Sequence, residues 1–283
     1  MTLALPPLES CRDLVRRALA EDLGRAGDIT STALVPAGAR ARGAIVARAG
    51  GVLAGLAMVP MVFEELDAAV AVESKRADGE RVAAGEILAM LDGPARALLA
   101  GERTALNLLG RLSGIATATR ELVDLVAGTR AVVVDTRKTT PTLRAFEKYA
   151  VRCGGGRNHR FGLDDAILIK DNHVAVAGSV GEAIRRARAA AGHLVKIEAE
   201  ITRLEQLEEA IAAGADVVML DNFSPAALRE AVEANRGRVP LEASGGISPR
   251  TIRAVAESGV EYISSGWITH SAPALDVALD FEP

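Results

Sequence analysis

The sequence has few cysteines, few aromatic residues and no long uninterrupted hydrophobic run. Its 283 residues include two cysteines, and aromatic residues make up 3%. Cys11 and Cys153 exclude a disulfide framework and, without a C-x-x-C motif, favour a reducing compartment. The longest uncharged run, Ala49–Phe63, contains glycine and proline and is too short to span a membrane. Since Met1–Ser10 shows no secretory signal, the sequence predicts a cytoplasmic protein.

The sequence also has no excess of positive charge. Lysine and arginine total 33, aspartate and glutamate total 37, and the net charge is −4. This balance argues against a nucleic-acid binder that relies on bulk positive charge. Hydrophobic residues make up 49% and charged residues 25%, which is typical of a folded globular chain. The length allows one large α/β domain or two smaller domains.

The pattern of the chain changes near residue 115. The first part mixes predicted helices with strands and glycine-spaced β-hairpins. These elements are helices at 14–19, 60–66 and 102–113, a strand at 41–49 and hairpins within 79–90. In helix 102–113 the apolar residues fall on one stripe and polar residues on another. The apolar stripe is Ala105, Leu108, Leu109 and Leu112, and the polar stripe is Arg103, Asn107 and Arg111.

From residue 131 onward, short apolar runs alternate with helical segments. The predicted strands are 131–134, 166–169, 194–197, 216–220, 239–241 and 262–264. The predicted helices are 143–151, 180–191, 203–213, 225–234 and 249–258. This alternation predicts parallel βαβ units. Six units fit either an incomplete α/β barrel or a doubly wound open sheet, and a further short strand is considered at 158–160.

Every predicted strand of the second part is followed by polar residues or glycine. Because the carboxyl ends of parallel strands meet on one side, we expect these residues to form one site. Cations gather after the first two strands, which indicates an anionic ligand. These cations are Arg137, Lys138, Arg152, Arg157, His159, Arg160 and Lys170.

Glycine-rich turns follow the last two strands. Ser244, Gly245 and Gly246 precede a helix predicted from Pro249, and Ser265 and Gly266 follow the final strand. Glycine lets backbone amides approach a phosphate closely, and a following helix adds a favourable dipole. The two turns therefore predict a phosphate site.

Two carboxylates accompany these turns. Glu200 and Asp221 would bind Mg²⁺ bridged to phosphate oxygens, or stabilise a developing cation. The sequence contains no zinc pattern, P-loop or G-x-S-x-G motif. Cys153 is interpreted as a buried residue and not as a nucleophile.

These motifs together resemble the quinolinate phosphoribosyltransferase family over essentially the whole chain, most strongly over residues 100–275. Trp267 departs from the pattern, because a small residue is expected there. The matching stretches are 21–24 (EDLG), 102–104 (ERT), 135–139 (DTRKT), 149–152 (YAVR), 154–160 (GGGRNHR), 168–173 (LIKDNH), 220–222 (LDN), 243–246 (ASGG) and 269–271 (THS).

The resemblance implies an N-terminal α/β sandwich domain, placed at 1–115, and an incomplete α/β barrel, placed at 116–270. The tail from about 270 to 283 is expected to pack on the first domain. The implied reaction joins quinolinate and phosphoribosyl pyrophosphate, with Mg²⁺, giving nicotinate mononucleotide, pyrophosphate and CO2. The implied assembly is a homodimer whose active sites are shared.

The resemblance also implies roles for individual residues. Lys138, Lys170, Glu200 and Asp221 are expected to carry the catalytic chemistry. The quinolinate carboxylates would be bound by Arg103, Arg137, His159, Arg160 and Lys170, with Arg103 acting from the partner subunit. The phosphoribosyl group, pyrophosphate and metal would be held by Lys138, Glu200, Asp221, Ser244, Gly246 and Gly266.

Two other functions fit part of the pattern. Lys170 at a strand end could form a Schiff base in an aldolase-like lyase, although the adjacent Asp171 does not favour the desolvated pocket that such a lysine needs. A non-catalytic sensor of a phosphorylated ligand would use the same turns, but the sequence shows no recognisable partner-binding appendage.

Overall fold

The computed structural model describes residues 3–282, which form both helices and strands. The helices are α1 (Leu8–Leu23), α2 (Ile29–Leu34), α3 (Val59–Leu66), α4 (Ala95–Leu125), α5 (Arg144–Cys153), α6 (Asp171–Ala177), α7 (Val180–Ala190), α8 (Glu205–Ala212), α9 (Pro225–Asn235), α10 (Ile252–Ala256) and α11 (Trp267–His270). The strands are β1 (Arg40–Ala47), β2 (Gly51–Val52), β3 (Ala71–Ser74), β4 (Arg81–Val82), β5 (Ile87–Pro94), β6 (Val132–Val134), β7 (Ile167–Ile169), β8 (Ile197–Ile201), β9 (Val217–Asp221), β10 (Leu241–Ser244), β11 (Tyr262–Ser264) and β12 (Val277–Phe281). Within residues 3–282, no helix has the length and hydropathy needed to cross a membrane.

The described chain divides into two compact units. The first contains residues 3–120, 145–155 and 272–282, and the second contains residues 121–144 and 156–271. The first unit has an antiparallel sheet in the order β12-β1-β5-β3, and β2 pairs separately with β4. Helices α1 and α3 pack against each other in this unit. Sheet and helices together form an α/β sandwich.

The predicted helix at 102–113 lies inside the much longer α4. Ala105, Leu109 and Leu112 of its predicted apolar stripe are buried. Gly114 allows the C-terminal segment to lie directly on the helix, because a Cβ at this position would be 2.0 Å from the carbonyl oxygen of Pro273. Small residues at such crossings permit close backbone approach, which fixes residues 272–282 against the first unit.

The hairpin prediction for residues 79–90 is wrong in its pairing. β4 pairs with β2, whereas β5 pairs with β1 and β3. A turn does occur at Gly85, which has φ +87° and donates its N–H to the carbonyl of Ala47. Glycine spacing located the turn, but the pairing partners come from distant parts of the chain, and local sequence does not specify them.

The second unit is an incomplete parallel barrel, as one of the two predicted arrangements required. Its sheet order is β6-β11-β10-β9-β8-β7. Strands β7 to β11 are therefore neighbours in chain order, and the last of them, β11, pairs with the first strand of the unit, β6. In a doubly wound sheet, the order in which strands are added would instead reverse at the first strand. The remaining gap lies between β6 and β7, where residues 158–160 do not form the strand considered for them. Instead, Arg157 makes a single parallel bridge to Val134.

Two strand predictions end too early. The strands predicted at 194–197 and 239–241 lie at Ile197–Ile201 and Leu241–Ser244. Glu198 and Glu200 are therefore inside β8 and not beyond its end. The mismatch has a physical cause: acidic residues normally mark strand ends, but alternate positions of a barrel strand face its interior, where polar side chains can meet.

The helix predictions of the second unit hold for their cores. The helices predicted at 180–191 and 225–234 lie at Val180–Ala190 and Pro225–Asn235. The predicted helix at 249–258 is shorter, spanning Ile252–Ala256. Gly246 is therefore separated from the helix by several residues, and the expected help of a helix dipole at this turn does not apply.

Candidate active site

The carboxyl ends of the six parallel strands surround a cavity of about 760 Å³. The second-unit residues assigned to catalysis or to substrate binding line it, from the ends of six strands and from the segment at 159–160, whereas Arg157, predicted among the cations, lines a different cavity. The assigned residues that line it are Arg137, Lys138, His159, Arg160, Lys170, Glu200, Asp221, Ser244, Gly245, Gly246, Ser265 and Gly266. The cavity sits where ligands bind in α/β barrels.

One wall of the cavity is cationic. Arg137, Arg160 and Lys170 line it together. Burial and the neighbouring charge of Arg137 lower the pKa of Arg160. Crowded cations repel one another, and an anionic ligand between them would relieve that repulsion. Arg160 is held in this wall by a bond from its Nη1 to the carbonyl oxygen of Ala166, at 3.0 Å.

Two carboxylates, Glu200 and Asp221, line the same cavity. Lys170 Nζ lies 3.3 Å from Glu200 Oε2. Burial is the main cause that raises the pKa of Glu200, and the charge of Asp221 adds to it while Lys170 opposes it. Two carboxylates that repel each other at a cavity wall suit a cation or a developing positive charge.

The glycine turn after β10 contacts the turn after β9. Gly245 and Gly246 have φ values of +98° and +62°, which only glycine adopts readily. A Cβ on Gly245 would lie 2.2 Å from Oδ1 of Asn222. The Asn222 N–H in turn donates to the carbonyl of Ser244, at 2.9 Å. Close contact and left-handed backbone therefore both require glycine at position 245.

We expect Gly245→Ala to lower the free energy of unfolding by about 2 kcal/mol, because the substitution forces a positive φ on alanine and displaces Asn222. Chemical denaturation followed by circular dichroism measures this change. Gly192→Ala is the control, since a Cβ there would meet nothing within 4 Å. Equal stability of the two variants would contradict the requirement.

The turn after β11 approaches the loop after β6. A Cβ on Gly266 would lie 2.8 Å from Cδ of Lys138. Thr269 Oγ1 donates to the carbonyl oxygen of Lys138 at 2.7 Å. The Lys138 N–H donates to Oγ1 of Thr136 at 3.0 Å. The position of Lys138 in the cavity is thus fixed through its backbone, while Gly266 leaves room for its side chain.

Several lining residues have no role assigned to them from the sequence. Glu242, Asn222, Trp267 and His270 all line the cavity. Glu242 could have been found, because it lies two residues before Ser244 and hence on the same strand face. Trp267 is the single tryptophan of the chain, so its fluorescence can report on ligands in this cavity.

Arg103 lies on α4 in the first unit. Its side chain is 64% exposed and comes within 4.0 Å of Glu102. It lines a shallow groove together with Asn107 and residues 274–277 of the C-terminal segment. The polar stripe predicted for this helix is therefore accessible at Arg103 and Asn107, whereas Arg111 is bonded to Glu147 at 2.8 Å.

Two other residues considered at the sequence level belong to the first unit. Arg152 donates to the carbonyl of Ala4 at 2.8 Å and lies over the ring of Tyr149. Cys153 is buried, and this burial raises the pKa of its thiol to about 12. A thiol that stays protonated is a poor nucleophile, so the interpretation of Cys153 as a structural residue holds.

A parallel α/β barrel with cations, carboxylates and glycine turns at its carboxyl end defines an enzyme class that acts on anionic, phosphorylated substrates. Residues 28–113 match the profile of the N-terminal domain of quinolinate phosphoribosyl transferase, and residues 115–280 match its C-terminal domain. The chain belongs to the quinolinate phosphoribosyltransferase family.

Individual relatives agree with this assignment. The chain is 49% identical over 269 residues to a probable nicotinate-nucleotide pyrophosphorylase [carboxylating] of Bacillus subtilis, covering 95% of this chain and 92% of the relative. It is 46% identical to the Mycobacterium leprae enzyme of that name, covering 96% and 97%. The solved nicotinate-nucleotide pyrophosphorylase from Francisella tularensis superposes with a TM-score of 0.95 at 40% identity, covering 100% and 99%.

Proposed function

We propose that this protein transfers the phosphoribosyl group of phosphoribosyl pyrophosphate to quinolinate and decarboxylates the product. The products are nicotinate mononucleotide, pyrophosphate and CO2, a step of NAD biosynthesis. The observation that carries the proposal is the cavity itself, which cationic side chains and two glycine turns line together in a protein of this family. Quinolinate is a dianion and its partner is polyphosphorylated, so both substrates require such a wall.

The residues of the cavity divide the chemistry between them. Arg137, Arg160 and Lys170, with His159 beside them, bind the two carboxylates of quinolinate. Lys138 and the glycine turns bind the phosphoribosyl group and pyrophosphate. Departure of pyrophosphate gives the ribose C1 oxocarbenium character, which Glu200 and Asp221 stabilise electrostatically. Holding the two anions in contact supplies several kcal/mol of rate enhancement.

Decarboxylation follows from the positive charge that the new bond to ribose places on the pyridine nitrogen. Once the pyridine nitrogen is bonded to ribose it is positive, and the electron pair left at the adjacent carbon by departing CO2 is stabilised by that charge. A proton then replaces the carboxyl group. The cations that bound this carboxylate also hold the ring in place during the step.

Mg²⁺ is part of the proposal. Glu200 and Asp221 fit the ion, because they are two mutually repelling oxygen donors beside the glycine turns and Mg²⁺ prefers carboxylates combined with phosphate oxygens. When bound, the ion would neutralise charge on pyrophosphate. Because Lys170 already pairs with Glu200, most contacts of the ion would be to pyrophosphate.

The proposal includes a homodimer in the cytoplasm. The exposed guanidinium of Arg103 would reach the active site of the partner subunit and bind a quinolinate carboxylate there. In a twofold dimer each site would then combine residues of two chains.

The Schiff-base alternative has less support. Lys170 is 50% exposed on its side chain and paired with Glu200, whereas a nucleophilic lysine needs a desolvated, unpaired amine. The relatives are named as pyrophosphorylases, which favours neither a lyase nor a sensor.

The test of the proposed function is the loss of quinolinate absorbance on addition of the protein. Loss that needs both phosphoribosyl pyrophosphate and Mg²⁺ supports the proposal. Loss without phosphoribosyl pyrophosphate, or no loss in the presence of both, contradicts it.

We expect quinolinate to be consumed and nicotinate to be left unchanged. Nicotinate lacks one carboxylate, so cations built to pair with it would stay unpaired in the complex. Chromatography of parallel reactions with each acid measures the difference. Equal turnover of the two acids would contradict the assignment of the cationic wall to a dianion.

A further inference from the structure

Two glutamates lie inside the barrel beneath the cationic wall. Glu198 on β8 is 8% exposed and Glu242 on β10 is 3% exposed. Both also line a second cavity of about 520 Å³. His159, Arg160 and Glu242 line this cavity and the active-site cavity alike. These side chains therefore form a thin layer that the two cavities share.

The ring of His159 is held at both nitrogens within this layer. Nε2 lies 2.7 Å from Glu198 Oε2 and 3.8 Å from Glu242 Oε1. The N–H of Arg160 donates to Nδ1 at 2.7 Å. The last contact ties the ring to the main chain of Arg160, the residue whose guanidinium lines the active-site cavity.

Asp135 holds the same segment from its other side. This carboxylate is fully buried at the end of β6. It accepts the N–H of His159 at 2.8 Å and Nδ2 of Asn158 at 2.6 Å. The segment lies in the gap of the barrel, where a seventh strand would otherwise fix it, so side chains supply the anchoring.

The burial of Glu198 and Glu242 lowers the stability of the folded protein. Oε1 of Glu198 and Oε1 of Glu242 are buried, and within residues 3–282 neither has a hydrogen-bond partner. Burial and the charge of Glu198 hold the pKa of Glu242 well above its usual range. Unpaired buried polar atoms lower stability, and apolar residues of similar size would often be better tolerated. Packing alone therefore gives no reason for acidic residues here.

We propose that Glu198 is a positioning residue of the quinolinate site, which fixes the ring of His159 and through it the segment that carries Arg160. Glu242 approaches the same ring nitrogen, Nε2, and limits the alternative orientations of the ring. The inference rests on the proposed function, because Arg160 is assigned there to a quinolinate carboxylate.

The test compares two substitutions of Glu198. Glu198→Leu keeps the volume but removes the acceptor, and we expect the KM for quinolinate to rise about tenfold. The KM for phosphoribosyl pyrophosphate should stay within about twofold, since the glycine turns are elsewhere in the cavity. Glu198→Gln keeps an amide oxygen as acceptor and should restore most of the quinolinate KM. Glu198→Ala replaces the leucine variant if that one does not fold.

A double-mutant cycle shows whether Glu198 acts through His159. In a His159→Ala background, Glu198→Leu should raise the quinolinate KM no further, because the ring it positions is gone. The control is Glu261→Leu directly before β11, which loses a 3.2 Å pair with Arg130 and the acceptor of the Leu241 N–H. This variant should change the melting temperature without raising the KM for quinolinate relative to the KM for phosphoribosyl pyrophosphate.

Three results would overturn the inference: an unchanged quinolinate KM in Glu198→Leu, an equal rise in both KM values, or additive effects in the double variant. Each of these requires an active wild-type protein. An inactive wild type would contradict the proposed function instead, so the two failures are distinguishable.

Discussion

Lys170→Ala and Arg137→Ala should each reduce turnover about 10²- to 10³-fold while the fold persists, because each removes a positive charge placed to bind an anionic substrate. Both residues line the cavity. Loss of Lys170 also leaves Glu200 without its partner at 3.3 Å, so a negative charge would face the incoming dianion. Stability should change by about 1 kcal/mol or less, since both side chains lie outside the packed core.

Steady-state turnover of quinolinate and the melting temperature are the two measurements. Lys75→Ala is a matched control, because Lys75 is an exposed lysine paired with Glu73 in the first unit. It should retain wild-type turnover. Near-normal turnover of Lys170→Ala or Arg137→Ala, at an unchanged melting temperature, would remove that residue from the site.

The second large effect is the recovery of activity when two inactive variants are mixed. Arg103→Ala and Arg137→Ala should each be nearly inactive if every site takes Arg137 from one chain and Arg103 from the other. A mixed dimer would then have one site with both substitutions and one with neither. Random 1:1 reassociation makes about half of the dimers mixed, so activity should return to about a quarter of wild type.

The experiment dissociates the two variants together, reassociates them and assays turnover, with mass spectrometry to show that subunits have exchanged. Arg137→Ala mixed with Lys170→Ala is the control. Both residues line one cavity within a single chain, so no mixed dimer has an intact site and activity should stay low. If Arg103→Ala and Arg137→Ala also fail to complement after exchange, Arg103 does not act in the partner's site.

Much of the candidate site could be predicted from sequence because its signals are local. Lys170 directly follows a strand, Asp221 ends one and Arg137 lies three residues beyond one, and parallel strands bring such positions to one edge. The glycine turns are likewise visible in the sequence, since few other residues adopt their backbone conformation. The structure places all of these residues around one cavity.

Arg103 shows the limit of what local sequence patterns can predict. Its helix and exposed stripe follow from periodicity, and the side chain is indeed accessible. Its function, however, depends on what a second chain brings to it. Periodicity carries no information about that chain, so the role of Arg103 stays a prediction until the mixing experiment is done.

The alternation of strands and helices, the two parallel-sheet alternatives and the residues at the strand ends follow from the sequence, because they depend on short periods and turn signals. Three features appear only in the folded chain: the pairing of β4 with β2, the pairing of β11 with β6, and the burial of Glu198 and Glu242 around His159. The physical reason is that strand pairing and the burial of charge depend on residues far apart in the chain. Only the folded barrel brings a carboxylate of β8 within 2.7 Å of a ring in its gap.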